Sequence, residues 1–299
     1  MPENERPPAT GDLSALARRG ASLSASQRMA ALCHGDVEIL GRMPWSSNAT
    51  FLVTCRSGEL EVPAVYKPEA GERPLWDFPR GIYRREVAAY MLSELCGVGL
   101  VPETVARVDA PMGVGSLQRF VPADFAHHYF TVLGDPATHD RLRLLAALDV
   151  VANNADRKGG HVLLDTDGAI WAIDHGLCFH VEPKLRTVMW DMAGQPLPDA
   201  LLRPLRWLAR TAADPRAHDT ELPAAGVGRT AGPRAHDTEP AAAGTGGLQS
   251  EHGAWWAHLC DLLDEDELRA VGRRSRQLLA RGRLPHPDPR RHHYPWPLV

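Results

Sequence analysis

Between residues 140 and 152 apolar side chains recur at Leu142, Leu144, Leu145, Leu148 and Val151, close to the i, i+3, i+4, i+7 spacing that buries one face of a helix. Asn153-Asn154 interrupts the pattern. A polar loop follows, then Val162-Leu163-Leu164, the turn Asp165-Thr166-Asp167-Gly168 and the run Ala169-Ile170-Trp171-Ala172-Ile173. Asp-Gly between two apolar runs favours a tight reversal, so a hairpin is predicted. Asp156 enters this hairpin and Asp174 leaves it. A two-stranded ribbon brings its open ends together, so the two carboxylates are expected to be neighbours although 18 residues separate them.

Upstream, the pattern changes from helical to strand-like. Val37 to Leu40, Thr50 to Cys55 and Val62 to Lys67 read as three short antiparallel strands. The third ends on a lysine that Pro68 keeps from continuing the ladder, and Lys67 shares a face with Val65. The first turn, Pro44-Trp45-Ser46-Ser47-Asn48, is small and polar. Its N–H groups and the hydroxyls of Ser46 and Ser47 can cover phosphates, although a glycine-rich loop would be the stronger signal. Arg84 to Gly97 has the composition of a helix with Gly97 at its C′ position and Glu86 in its first turns. Gly115 to Val121 reads as a further strand running into the polar segment 122–128. Near the end, Asp264 to Ala280 is predicted helical, and Pro285 to Val299, with five prolines, as an extended strap or a loose tail.

Each piece has an ordinary reading. Asn-Asn-x-Asp-Arg serves as a helix-terminating loop and Asp-His-Gly as a turn. Lys67 serves as a solvated edge charge and Glu86 as a surface helix residue. Together, a strand lysine, a helix glutamate and two carboxylates around a hairpin are the parts of a phosphoryl-transfer site. Val65-Tyr66-Lys67-Pro68, the run Gly71 to Pro79, Arg85-Glu86-Val87-Ala88-Ala89-Tyr90, Asn153-Asn154-Ala155-Asp156-Arg157 and Ile173-Asp174-His175-Gly176 make the chain similar to a largely actinobacterial group of kinase-like proteins. That group resembles the phosphatidylinositol 3-/4-kinase-like branch of the protein-kinase-like superfamily. The likeness spans residues 65 to 180 and begins near Val37; most of the C-terminal third adds little to it.

The resemblance implies an α+β, two-lobed protein-kinase-like fold that uses ATP and Mg2+ or Mn2+. It makes Lys67 the phosphate-binding lysine, Glu86 its partner, Asp156 the catalytic aspartate and Asp174 the chief metal ligand. Ser46, Ser47 and Asn48 become the phosphate loop. Gln118 to Val121 become the hinge, whose backbone meets the adenine while Phe120 or Val121 packs on it. Three positions depart from the pattern. Lys158 replaces a histidine after Asp156-Arg157, His175 stands where many kinases have phenylalanine, and His161 occupies the place of a metal-binding asparagine. Magnesium prefers oxygen ligands, whereas imidazole suits manganese and other transition ions. His161 therefore shifts the metal preference, removes a second metal, or leaves nucleotide binding without efficient transfer.

Composition narrows the remainder. With 299 residues and 44% hydrophobic content the chain can bury a substantial core. The expected organisation is a flexible segment 1–30, a small nucleotide-binding N-lobe 31–121, and a helical C-lobe 122–299. Within the C-lobe, Pro215 to Glu221 recurs as Pro233 to Glu239, in a Pro-, Ala- and Gly-rich stretch poor in large apolar residues. Residues 213–250 are therefore expected to be a disordered insertion. A net charge of −4 and no dense Lys/Arg run argue against nucleic acid as a partner. No apolar run reaches membrane-spanning length. Met1 to Arg6 lacks a secretory pattern, and five scattered cysteines fit a reduced cytoplasm.

The function expected is transfer of the γ-phosphate of ATP to an unidentified protein, lipid, sugar or small-molecule acceptor. The first alternative is a catalytically silent nucleotide-binding module acting through a protein partner, and the second is nucleotidyl transfer. Arg203, Arg206 and Arg210 are too few to mark a lipid-facing surface and read as a solvated helix face.

Overall fold

The computed structural model describes residues 20, 22–43, 46, 48–215 and 248–299, with residues 248–252 as backbone only. It is an α+β structure. A five-stranded antiparallel sheet has β1 (Asp36–Arg42), β2 (Phe51–Ser57), β3 (Leu60–Pro68), β4 (Thr104–Arg107) and β5 (Gly115–Arg119) in the order β1-β2-β3-β5-β4. The three predicted strands are thus joined by β5 and by β4, a four-residue strand whose pattern is too short to read from the sequence. Helix α1 (Ala25–His34) precedes the sheet and starts before residue 31, held by a capping box. Gln27 N–H donates to Ser24 Oγ at 3.2 Å, while Ser24 N–H donates to Gln27 Oε1 at 2.9 Å, satisfying two N-terminal donors at once.

In β3 the residues Ala64, Tyr66 and Pro68 are buried while Val65 and Lys67 are half-buried, the alternation expected of a strand with one face in the core. Helix α2 (Tyr83–Leu95) is buried almost along its whole length. It packs on the sheet on one side and on α6 (Leu248–Leu262) on another, where Tyr90 meets Trp255 edge-on at 6.1 Å. Gly97 has φ 65°, a conformation glycine adopts without steric cost.

The helical region holds the short α3 (Tyr129–Val132), α4 (His139–Ala152), α5 (Asp199–Thr211), α6 and α7 (Glu265–Arg281), with a two-stranded hairpin β6 (Val162–Leu164) and β7 (Ile170–Ala172) after α4. α4 is buried on more than one face, because Leu142, Leu145, Ala146, Leu148, Asp149 and Val151 are all inside. Arg85 ties α2 to this region. It pairs with Glu267 at 2.5 Å and donates to Cys178 O at 2.7 Å. The C-terminal residues run as an extended strap, joined to the body by Thr187 N–H to His293 O at 3.0 Å and Gly159 N–H to Leu298 O at 2.7 Å. Most of the expected insertion, residues 216–247, lies outside the described residues. Among those described, no helix is long and apolar enough to cross a membrane.

Two expected results test this architecture. A Cβ on Gly115 would come within 2.4 Å of Lys67 O and 2.7 Å of Pro68 Cα, both backbone atoms that cannot swing aside. Gly115→Ala should therefore push β5 off the end of β3 and cost about 1–3 kcal/mol in urea unfolding; a loss below ~0.5 kcal/mol would contradict the close approach. The second test concerns Glu103, which joins Arg28 (2.7 Å) to Arg119 (2.5 Å). Burial alone would raise its carboxyl, but Arg119 and Arg28 outweigh burial and hold it below its ordinary value. A depressed folded pKa means that the unfolded chain binds the extra proton first. The contribution is thus present above pH ~4.5 and is lost as pH falls through the folded value. Glu103→Gln should flatten the acid limb of the stability–pH curve below pH ~4.5, read by urea midpoints.

Candidate functional site

Lys67 leaves the half-buried face of β3 close to its end, where the ladder to β5 pairs it with Ser116. Its ammonium meets two carboxylates from different parts of the fold. One is Glu86 in the first turns of α2, in direct contact, and the other is Asp174 just beyond β7, with Nζ to Oδ1 at 2.8 Å. Glu86 is nearly fully buried, and its second oxygen accepts the His175 N–H at 2.9 Å. The same side chain therefore fixes the lysine and the backbone that follows Asp174. Asp174 has φ 59°, a left-handed conformation that aspartate tolerates better than most residues. Its side chain remains 47% exposed, so the cluster opens to solvent.

The other oxygen of Asp174 meets His161 Nε2 at 3.2 Å. His161 comes from the 3-10 turn before β6, and its Nδ1 faces the Lys158 N–H at 3.5 Å. This arrangement assigns the imidazole proton to Nε2, which donates to Asp174. Burial pulls the His161 imidazole down to about 4 against the opposing pull of Asp174, so the ring is neutral near pH 7. Burial would lower the Lys67 ammonium, but Asp174 and Glu86 outweigh it and raise its pKa. Burial would also raise Asp174, yet Lys67 and His161 hold it well below the usual carboxylate range. Glu86 moves the other way, raised by burial and by the Asp174 charge while Lys67 opposes.

Asp156 lies in the loop after α4, paired with Lys158 at 3.0 Å. Burial raises its carboxyl, Lys158 counters, and the Asp174 charge raises it again, which puts the two carboxylates within electrostatic reach of each other. Lys67 thus joins Glu86 to Asp174, and Asp174 joins Lys67 to His161. In the predicted phosphate loop, Ser46 and Asn48 have partners within the protein. Ser46 Oγ bonds Thr50 Oγ1 at 2.7 Å and Asn48 Oδ1 accepts the Arg73 N–H at 3.0 Å, while Ser47 lies outside the described residues. On β5, Gln118 is buried and its amide donates to Thr104 Oγ1 at 2.9 Å. Phe120 N–H donates to Pro63 O at 2.9 Å. Phe120 is half-buried and Val121 buried. Gln118 lies in the strand between β3 and β4, where it pairs with Val65 and Thr104.

Protein Rv2133c of Mycobacterium tuberculosis is 43% identical to this chain over 222 residues, which is 63% of this chain and 80% of the mycobacterial protein. The chain belongs to the family of Protein Rv2133c. No family model matches it.

Beneath the charged cluster, this member of the Rv2133c family carries a buried network. Arg157 is fully buried. Its guanidinium donates to Asp149 through Nε (2.8 Å) and Nη2 (3.0 Å), to Ile173 O at 2.8 Å and to His161 O at 3.3 Å, and Nη2 also meets His175 Nε2 at 2.7 Å. Asn154 adds a bond from Nδ2 to Asp149 Oδ1 at 3.0 Å and accepts the Asp156 N–H at 2.9 Å. One arginine thus fastens the last turn of α4, the loop carrying Asp156 and both open ends of the hairpin. The sequence pattern gives Asp149 no part in the site, and Asn154 and His175 only a place in its motifs. The signal for Asp149 was present, since a carboxylate four residues after Leu145 and one after Leu148 sits inside an apolar stripe and requires a buried partner.

Asp174 offers carboxylate oxygen and His161 a neutral imidazole, converging within 3.2 Å. Among the described residues no group of three or more His, Cys, Asp or Glu side chains stands ready to hold an ion. A mixed oxygen and nitrogen pair with other positions left to water or phosphate fits manganese or a similar transition ion better than magnesium. For Nε2 to ligate, its proton has to move to Nδ1 and the long Lys158 contact has to break.

Proposed function

We propose that this protein is an ATP-dependent phosphotransferase of two-lobed, protein-kinase-like fold, with the sheet and α2 as the smaller lobe and α3 to α7 as the larger. The observation that carries this reading is Lys67 joined at once to Glu86 and to Asp174 (2.8 Å). A strand lysine held by a helix glutamate against a carboxylate that follows a hairpin is the arrangement that phosphoryl transfer uses to hold nucleotide phosphates. In this reading Lys67 turns from Asp174 to the phosphates of ATP. Asp174, with His161, is freed to hold a divalent ion, and such an ion when bound neutralises the charge developing on the phosphates. Asp156 orients the acceptor hydroxyl and takes its proton. The acceptor oxygen bonds to the γ-phosphorus as the bond to the bridging oxygen breaks, and ADP leaves. A carboxyl raised by burial suits a base acting near neutral pH, and Lys158 holds it in place.

ATP turnover by the purified chain, with magnesium and with manganese, tests the proposal. Activity that is unchanged in both Asp156→Ala and Asp174→Ala would overturn it. His161→Asn should raise magnesium-supported turnover relative to manganese by about tenfold, the worth of one ligand preference of ~1.4 kcal/mol. An unaltered ratio would remove His161 from the ion site.

A second reading, nucleotide binding without transfer through a protein partner, is favoured by the His161–Asp174 contact, which engages the metal-holding carboxylate. Thermal stabilisation by ATP with no labelled product supports this reading. Mass spectrometry of products separates an added phosphate from an added AMP. The phosphate acceptor and a cytoplasmic location belong to the same proposal.

A further inference from the structure

A cavity of about 340 Å³ lies between the C-terminal end of α4, the segment 181–191, α7 and the start of the C-terminal strap. None of Lys67, Glu86, Asp156, His161 or Asp174 lines it. Its size is at the lower end of the range for small-molecule sites, and its walls combine the two chemistries such sites use. Val181, Leu185, Trp190, Leu278 and Pro285 supply apolar surface, while Arg273, Arg274, Arg281 and Arg291 supply positive charge. The α7 residues Ala270, Arg273, Arg274, Gln277, Leu278 and Arg281 follow the spacing of one helix face, so the cationic stripe is turned toward the cavity as a unit. The lone acid there, Asp288, is already engaged by Arg290 at 3.1 Å and Arg291 at 3.5 Å.

Arg274 is the decisive group. Its Nε donates to Val151 O at 2.7 Å and its Nη1 to His180 O at 3.2 Å, whereas its Nη2 is buried with no partner. Burial first, and the adjacent Arg273 charge second, pull its pKa down to about 9. A guanidinium does not give up its proton at neutral pH, so Arg274 keeps its charge, which Glu267 only partly offsets. A buried donor of that kind is costly until an acceptor reaches it.

We propose that this cavity is a second ligand site, and that its ligand is a small amphipathic organic anion, a carboxylate or phosphate monoester carried on an apolar body. The anionic head meets Arg273 and Arg281 with the buried Arg274 charge behind them, and the body lies against Leu185, Trp190 and Pro285. The site also adjoins the catalytic-loop candidate, because Asn153 lines the cavity. Asn153 bonds through Nδ2 to His180 O (2.9 Å) and Glu182 O (2.7 Å) and stands three residues before Asp156.

Calorimetric titration of the full chain with octanoate and hexyl phosphate, against octanol and inorganic phosphate, tests the site. At least one of the two amphiphiles should saturate one site per chain, and bind roughly tenfold or more tighter than either control, because a charge-assisted bond and the apolar body act together. The double variant Arg273→Gln/Arg281→Gln, whose side chains are exposed, should weaken that binding roughly tenfold. Gln277→Trp, which fills the space without changing charge, should do the same. Lys67→Ala should leave it unchanged. The proposal is overturned if the folded protein shows no saturable binding of either amphiphile, if affinity survives both α7 variants, or if it disappears in Lys67→Ala.

Discussion

Asp174→Asn is expected to lower metal-dependent phosphate transfer from ATP by about 10²–10³-fold, the magnitude lost when one preorganised electrostatic contact to the developing charge is removed. The substitution keeps the shape of the side chain and removes its charge. Lys67 would then answer to Glu86 alone, so nucleotide phosphates would still find an ammonium, and the ion would lose its carboxylate. The expected signature is a fall in kcat with an ATP dissociation constant, measured without metal, that changes little. Asp156→Asn should lower kcat by about 10²–10⁴-fold, as loss of a general base does, with the metal dependence retained. A protein whose turnover and metal dependence are both unaffected by Asp174→Asn does not use this cluster for chemistry, whatever its fold.

Arg157→Met should cost about 3–5 kcal/mol in urea unfolding, the penalty for leaving a buried charge without its partner. Asp149 would remain on α4 with 1% of its surface exposed and only Asn154 to bond it, and the Ile173 carbonyl would lose the guanidinium, while His161 O would keep the Ile173 N–H. Because a domain's net stability is ordinarily ~5–15 kcal/mol, one substitution would remove a large fraction of it. The double variant Arg157→Met/Asp149→Leu should be more stable than Arg157→Met, since it removes both charges and their desolvation together. A single-variant loss under ~1 kcal/mol would show that the network does not hold the hairpin to α4.

The elements carrying the site were legible to within a few residues. The apolar spacing between Leu142 and Val151 marked α4, whose bounds are His139–Ala152. Asp-Gly marked the reversal between β6 and β7. Lys67 at the close of β3 and Glu86 near the start of α2 were recognisable from residue type and local pattern. The phosphate-loop reading rests on small polar residues alone, of which Ser46 bonds Thr50 and Asn48 accepts from Arg73. β4 escaped notice because four residues carry too little periodicity, and its place at the sheet edge depends on pairing with β5.

What the chain determines by itself is local: where periodicity changes from helix to strand, where Asn153 and Asp-Gly stop and turn the backbone, and which ionisable groups stand at the ends of those elements. These follow from short-range sterics and the burial of one face. Tertiary structure alone decided that Lys67, Glu86 and Asp174, from a strand, a helix and a hairpin end, share one ammonium. It also decided that Asp149 and Arg157 compensate each other inside the core, and that four distant segments line a cationic cavity. Such juxtapositions depend on how buried charges find partners across long sequence separations, and that pairing is settled only when the elements pack.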